Sequence, residues 1–484
     1  MSDNTTLKKG RLGTAALVFM IIAASAPLTV LAGGAPTTFA VSGLLGLPVG
    51  YLVLGAALVL FAVGYCAMSS RVHNAGAFYA YISEGLGPRH GIAAALLALV
   101  VYNMLQVALY GLFGFSLSAA LATWTGLSVP WWVAGAVGWI IVTLLGVSNV
   151  DLSARVIGVL VTLEFLVVLV VMGFALTNPQ EGISADSVLP EQFLTPGVGV
   201  LLAFSIAAFM GFESGAIYSE EAKDPSRTVP RATYIAVSII ALFYALSTWA
   251  LTMGVGPSGI IDESRTYGPD LVFVWLSEFS PLLSDVVHLL FVTSVLAALL
   301  AFHNAAARYF FALGRSGVLP RFLGTPGRNG APVAGSLTQS AVGVVIVVVF
   351  ALAGRGSELG ELFPVITLFT WFSTAAAFGL VFLLAVTSVA VLVWFRRDHH
   401  GFGVFTRVVA PAVSAVAMLV VAILILVNFD IMIGEESPRS MVFIMPGIII
   451  GAGVFGALWS LRFPNGTVDM DVLPEPTEPV SVPR

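Results

Sequence analysis

The chain has 484 residues, 58% of them hydrophobic and only 10% charged, with a mean hydropathy of +0.98. No soluble domain sustains that balance over such a length, so the chain reads as an all-α integral membrane protein. A formal net charge of −5, spread over loops and tail, excludes the basic surface that a nucleic-acid partner requires.

Lys8, Lys9 and Arg11 precede the first apolar run, which continues past Val30 without a cleavage site and is therefore a retained span rather than a leader. Leu12 to Ser70 and Gly91 to Val150 contain no Asp, Glu, Lys or Arg, and each is long enough for two spans of roughly 20 residues. Hydropathy and breakers place spans near 14–36, 45–68, 91–121, 130–148, 154–176, 196–222, 231–254, 284–313, 334–353, 361–396, 406–428 and 440–460. That is about twelve helices, the tenth long enough to tilt or to lie partly at the interface. The lone Cys66 falls inside a span and cannot form an intramolecular disulfide.

Of the 21 Lys and Arg residues, all but Arg265, Arg355 and Arg439 fall on one side if both termini share it, which makes that side cytoplasmic; the membrane expected is the plasma (inner) membrane. Residues 1–13 form a cytoplasmic tail, and the Pro- and acid-rich residues 463–484 a second, disordered one. Arg396, Arg397, His399 and His400 are positive-side anchors, since a His pair alone lacks the further ligands of a metal site. Asn4-Thr5-Thr6 and Asn465-Gly466-Thr467 fit the glycosylation pattern but lie on the cytoplasmic side.

Two spans break the rule that a hydrocarbon-crossing helix is uniformly apolar. The first carries Ser25-Ala26-Pro27-Leu28-Thr29, where proline removes a donor and crowds the preceding turn, so the helix kinks or unwinds. The sixth carries Gly211-Phe212-Glu213-Ser214-Gly215. Freed backbone is tolerated at membrane depth only against protein or a water-filled cavity, and interrupted helices five spans apart are the mark of transporters built from inverted repeats. Half-helix starts suit a carboxylate and half-helix ends an ammonium, so a zwitterion satisfies both.

Asn103, Gln106 and Tyr110 share one face of the third span, either beside that site or as interhelical hydrogen-bonding groups. Glu164, in the middle of the fifth span with no cation close in sequence, is either a proton carrier, a partner for a cationic substrate, or a neutral carboxyl bonded to a neighbouring helix. Glu213 either holds the break in the sixth span or senses pH. His303, Asn304, Thr367, Thr370, Trp371 and Ser373 are weaker candidates, with packing the simpler role. Paired catalytic groups, metal-ligand sets and a phosphate-cradling glycine loop with its lysine are all missing from the sequence. We expect no cofactor, no metal, no ATP-driven step and no enzymatic activity.

Gly211-Phe212-Glu213-Ser214 followed by Glu220-Glu221-Ala222-Lys223-Asp224-Pro225-Ser226-Arg227-Thr228-Val229-Pro230-Arg231 resembles the signature of permeases of the amino acid–polyamine–organocation superfamily. Met68-Ser69-Ser70 with Ala75-Gly76-Ala77-Phe78-Tyr79-Ala80-Tyr81, and Asn304-Ala305-Ala306-Ala307-Arg308 with Phe311 to Pro320, agree in order and position. The resemblance implies two inverted five-helix repeats, residues 14–176 and 196–396, with discontinuous helices 1 and 6, plus two peripheral helices over 406–460. It implies secondary transport of an amino acid or related amine by alternating access, by proton symport, with amino acid/polyamine exchange or transport of another organic cation as the alternatives. It also implies that the α-carboxylate and α-amino groups rest on the unwound backbone at Ser25, Ala26, Pro27, Leu28 and Thr29, and at Phe209, Met210, Gly211 and Phe212. Besides this substrate, the partners expected are protons and membrane lipid.

Three departures from the superfamily pattern bear on chemistry. Ser25-Ala26-Pro27 replaces a Gly-Ser/Thr-Gly run of many relatives. Glu164 stands where some relatives carry a lysine whose ammonium takes the place of sodium, which reverses the local charge and favours protons or a cationic substrate. Ala207 stands where some place a bulky aromatic, leaving room for a substrate side chain.

Overall fold

The computed structural model describes residues 10–72, 78–148, 150–327, 330–434 and 437–463. Lys8, Lys9, the Asn4 and Asn465 sequons, Ala75 to Ala77 and the tail after Phe463 lie outside the described residues. Eleven helices are long and apolar enough to cross a membrane: Thr14–Ser42, Leu47–Ser69, Pro88–Thr125, Leu152–Thr177, Val198–Glu221, Pro225–Val255, Pro281–Arg315, Val333–Ala353, Gly360–Arg397, Phe405–Val427 and Met441–Arg462. A shorter apolar helix, Trp131–Gly146, stands fourth in chain order. At 1.5 Å per residue its 16 residues reach only about 24 Å, short of a hydrocarbon core of roughly 30 Å. Counting it, we refer to the first to twelfth spans.

Burial sorts the spans into inner and outer. The most apolar stretches of the third and sixth are 78% buried and those of the first and tenth 72%, whereas the ninth and twelfth reach only 22% and the eleventh 39%. The outer faces bear Leu166, Val416, Phe443 and Val454, each about half exposed or more, which would be an aggregation surface in water and is the expected surface in lipid.

Between the spans, three helices not expected from the sequence cap the two ends: Phe78–Leu86 after the second span, and Ile260–Tyr267 and Leu271–Phe279 between the seventh and eighth. The first of these lies on the face that carries the start of the chain, where Arg397 donates to the carbonyl of Glu84 at 2.9 Å. On that same face the end of the twelfth span meets the chain just past the eighth, Trp459 donating to the carbonyl of Val318 at 3.2 Å. At the opposite face Arg265 donates to the carbonyl of Ala40 at 3.3 Å, tying the helix Ile260–Tyr267 to the end of the first span.

Three inner spans are irregular, each for a local reason. The first is an α-helix over Thr14–Ser25, a short turn over Pro27–Thr29, a wide π turn over Val30–Gly34 and a second α-helix over Ala35–Ser42. The sixth runs α over Val198–Ser205 and 3₁₀ over Ile206–Phe209, then breaks and resumes as 3₁₀ over Phe212–Glu221. The tenth opens with a π stretch, Pro364–Trp371, where the hydroxyl of Thr370 donates to the carbonyl of Val365 five residues back, the spacing of that wider turn.

Candidate functional site

The first break is set by Pro27. A residue before proline is pushed out of the right-handed helical region, and Ala26 adopts φ 46° and ψ 75°, one of two non-glycine residues with positive φ among the described residues. The strain of such a placement, of order 1–2 kcal/mol, persists only where the surroundings hold it. They do so here: the hydroxyl of Tyr244 on the seventh span donates to the carbonyl of Ser25 at 2.8 Å, and the Ser25 hydroxyl donates to the carbonyl of Ile22 at 2.8 Å.

The second break is set by Gly211 and held by Glu213. Met210 is extended, at φ −58° and ψ 134°, and Gly211 takes φ 96°, a conformation reserved for glycine. The Glu213 carboxylate turns back on its own chain, one oxygen accepting from the Gly211 amide at 3.1 Å and the other from the Tyr102 hydroxyl on the third span at 2.5 Å. Its carbonyl accepts from Tyr65 on the second span at 3.0 Å. Glu213 is thus a buried acid whose carboxylate accepts from two donors, fastening the break between two other spans.

The two breaks touch. A Cβ added to Gly211 would lie 2.3 Å from the Cβ of Ala24 and 3.4 Å from the ring of Phe302. Glycine is required there twice over, for its φ and for the approach of the first span.

Glu164 closes the far side of the first break. It is fully buried, and one carboxylate oxygen accepts from the Ser294 hydroxyl of the eighth span at 2.7 Å. The Ser294 oxygen lies 3.0 Å from the Thr29 hydroxyl, which is the donor while Glu164 is ionised, since Ser294 has a single hydrogen and then gives it to Glu164. The chain Thr29 to Ser294 to Glu164 joins the first, eighth and fifth spans, the backbone amide of Leu28 also faces the Glu164 carboxylate, and the second carboxylate oxygen accepts from no side chain.

The remaining sequence candidates divide. Phe209 packs its ring against Tyr51 and Tyr244, and Phe212 sets its ring edge-on to Phe61. Both side chains therefore fasten the sixth span to its neighbours and leave backbone at the break. Gln106, although buried, donates to the Tyr110 hydroxyl at 3.1 Å and lies 3.4 Å from His303, whose other ring nitrogen meets the Ser336 hydroxyl at 2.8 Å. Its amide serves the contact between the third, eighth and ninth spans. Asn103 gives its amide to the carbonyl of Leu99 at 2.8 Å and lines a separate apolar cavity of about 400 Å³ with Met104, Phe310, Ile346 and Phe372. Thr367 bonds the carbonyl of Phe363, and Trp371 bonds the Ser437 hydroxyl.

Sequence reasoning missed Tyr102, Tyr65, Tyr244 and Ser294, because a tyrosine or serine in an apolar run is common and nothing in its spacing shows what it faces. It also left Glu220 and Glu221 outside the membrane core. Both are buried and paired with Arg308 and Arg315 of the eighth span. Two acids and two arginines at the ends of two spans were the available signal.

The amino acid permease family model matches residues 16–463. The chain is similar to the branched-chain amino acid permease BcaP of Lactococcus lactis subsp. cremoris, 27% identical over 332 residues, covering 64% of this chain and 69% of that protein. It is 25% identical over 389 residues to the low-affinity putrescine importer PlaP of Escherichia coli, covering 74% and 81%. To the L-asparagine permease of Streptomyces coelicolor it is 23% identical over 434 residues, covering 85% and 83%.

Proposed function

The chain belongs to the amino acid permease family, and from that premise we propose that it moves an amino acid or related amine by alternating access, in symport with protons. The observation that carries this reading is the contact of the two breaks at Ala24 and Gly211, which supplies helix ends of both polarities at one point within the membrane. In this reading the two breaks belong to inverted five-helix repeats and both termini are cytoplasmic. The α-carboxylate and α-amino groups rest on the backbone of Ser25 to Thr29 and of Phe209 to Phe212. Asn103 and Gln106 have their amide nitrogens engaged elsewhere, but the buried Oδ1 of one and Oε1 of the other lack partners and stay open to the substrate in this reading.

Glu164 is the proposed proton carrier. It is isolated from any buried cation, bonded on one oxygen and without a side-chain partner on the other, and linked to the first break through Ser294 and Thr29. Glu213 keeps a structural role, its oxygens already occupied. A second reading, exchange of a cationic amine, is favoured by the same Glu164 oxygen. The names of the relatives span an apolar amino acid, a polar one and a diamine, which share only an amino group.

Uptake of labelled amino acids and diamines into proteoliposomes, with and without an inward pH gradient, tests the reading. We expect at least one amine to accumulate, and Glu164→Gln to keep binding while flattening the dependence of uptake on pH. Failure of every amine to be taken up or exchanged rejects transport, and wild-type pH behaviour in Glu164→Gln rejects the carrier.

A further inference from the structure

At the face carrying the start of the chain, the sixth span ends in two consecutive acids. The Glu221 carboxylate receives a fork from Arg308, at 2.6 Å from Nε and 2.9 Å from Nη2, and the pair is almost dry, with side chains 3% and 1% exposed. Arg308 also donates to the carbonyl of Asn304 at 2.9 Å and covers the ring of Tyr218 at 4.6 Å. Glu220 receives a second fork from Arg315, whose guanidinium stacks over Phe311 at 5.3 Å.

The geometry has a local cause. Residues in a 3₁₀ helix advance about 120° each, so neighbouring acids point apart by a third of a turn. Arg308 and Arg315, seven residues apart on an α-helix, share one face about 10 Å apart. One tight turn thus reaches two points along the eighth span.

The chain before the first span joins the same place. The amides of Arg11 and Leu12 donate to the carbonyl of Glu221 at 2.9 and 3.0 Å, and the amide of Lys223 donates to the carbonyl of Leu12 at 2.9 Å. This is the single isolated strand-like bridge among the described residues, Leu12 to Ala222.

We propose that these contacts form a latch. The Arg11–Leu12 strap makes the ends of the first and sixth spans one body, and the two arginine forks pin that body to the eighth span, so that the site opens toward this face only when both forks part. A buried ion pair adds little net stability over apolar packing, yet separating its members leaves bare charges that water must reach at once. Such a pair therefore favours an all-or-none opening over gradual loosening. The Arg315 fork, nearer the surface at 8% exposure, is the one water reaches first.

The inference rests on the transport reading, and its test uses no substrate, so the two fail separately. Asn304→Cys in a Cys66→Ala background places a thiol one turn from Arg308 at a site 4% exposed, whose side-chain nitrogen has no partner to lose. The rate of its reaction with an impermeant maleimide is measured on vesicles of each orientation. Glu221→Gln or Arg308→Gln is expected to raise the rate at least about tenfold from the latch face alone, because removing one member of a buried pair strands the other's charge. Asp224→Asn, whose partner Arg227 is largely solvent-exposed, should leave the rate unchanged. If Arg308→Gln does not reach the membrane, Glu220→Gln carries the same expectation. An unchanged rate in folded Glu221→Gln and Glu220→Gln proteins, or an equal rise from both faces, overturns the latch.

Discussion

Gly211 is the residue on which the site turns. Its φ of 96° and the 2.3 Å that a Cβ would leave to Ala24 are independent demands, so no side chain satisfies them by moving aside. Gly211→Ala should cost about 1–3 kcal/mol in strain and overpacking and abolish uptake, because relief requires the first and sixth spans to part. Gly158→Ala on the fifth span, where a Cβ meets nothing within 4 Å, should leave both stability and uptake near wild type. Thermal unfolding of the two purified variants beside an uptake assay checks this, and similar behaviour of the pair contradicts it. Glu164 and Glu213 show at the same scale how environment divides two buried carboxylates. One is wrapped in donors from its own chain and from Tyr102, and the other keeps an oxygen that no side chain bonds, beside Thr29 and Ser294.

At the scale of elements, the interruptions in the first and sixth spans have different origins and different costs. The sixth is broken by glycine freedom and repaired by a carboxylate, so its geometry is satisfied where it stands. The first is forced by Pro27 on Ala26, an L-residue in a left-handed conformation, and is held from outside by Tyr244. Pro27→Ala removes the constraint and restores a backbone donor, so the span should relax toward a continuous helix. We expect that variant to unfold at a higher temperature than wild type while its uptake falls, a trade between stability and a strained site. A loss of both together would mean that the strain is not stored at Ala26.

For the molecule as a whole, the sequence revealed the architecture far better than the site. Span boundaries read from hydropathy agree with the structure within a few residues at most ends, because lipid leaves helices almost no alternative. The first span, expected to end near 36, continues to Ser42, since Pro36 follows the wide π turn Val30–Gly34 and the backbone stays helical through it. The breaks at Ala26 and Gly211 were legible from Pro27 and from Gly211 itself, and Glu164 from its isolation. What each one faces was not legible, because the third span turns Tyr102 to Glu213 while sending Asn103 to a different cavity and Gln106 to His303. A run of adjacent polar residues on a helix fans out by about 100° per residue, and only packing decides which of them meets the break.

In the proposed reading, substrate rests on the backbone of the two breaks beside their point of contact. Met210→Cys in the Cys66→Ala background puts a thiol at the extended residue of the sixth span, 8% exposed in wild type. Any amine the protein transports should slow reaction of that thiol with a small thiosulfonate, with half-protection at the concentration that half-saturates uptake. A thiol reacting at the same rate with and without a saturating transported amine would contradict that placement.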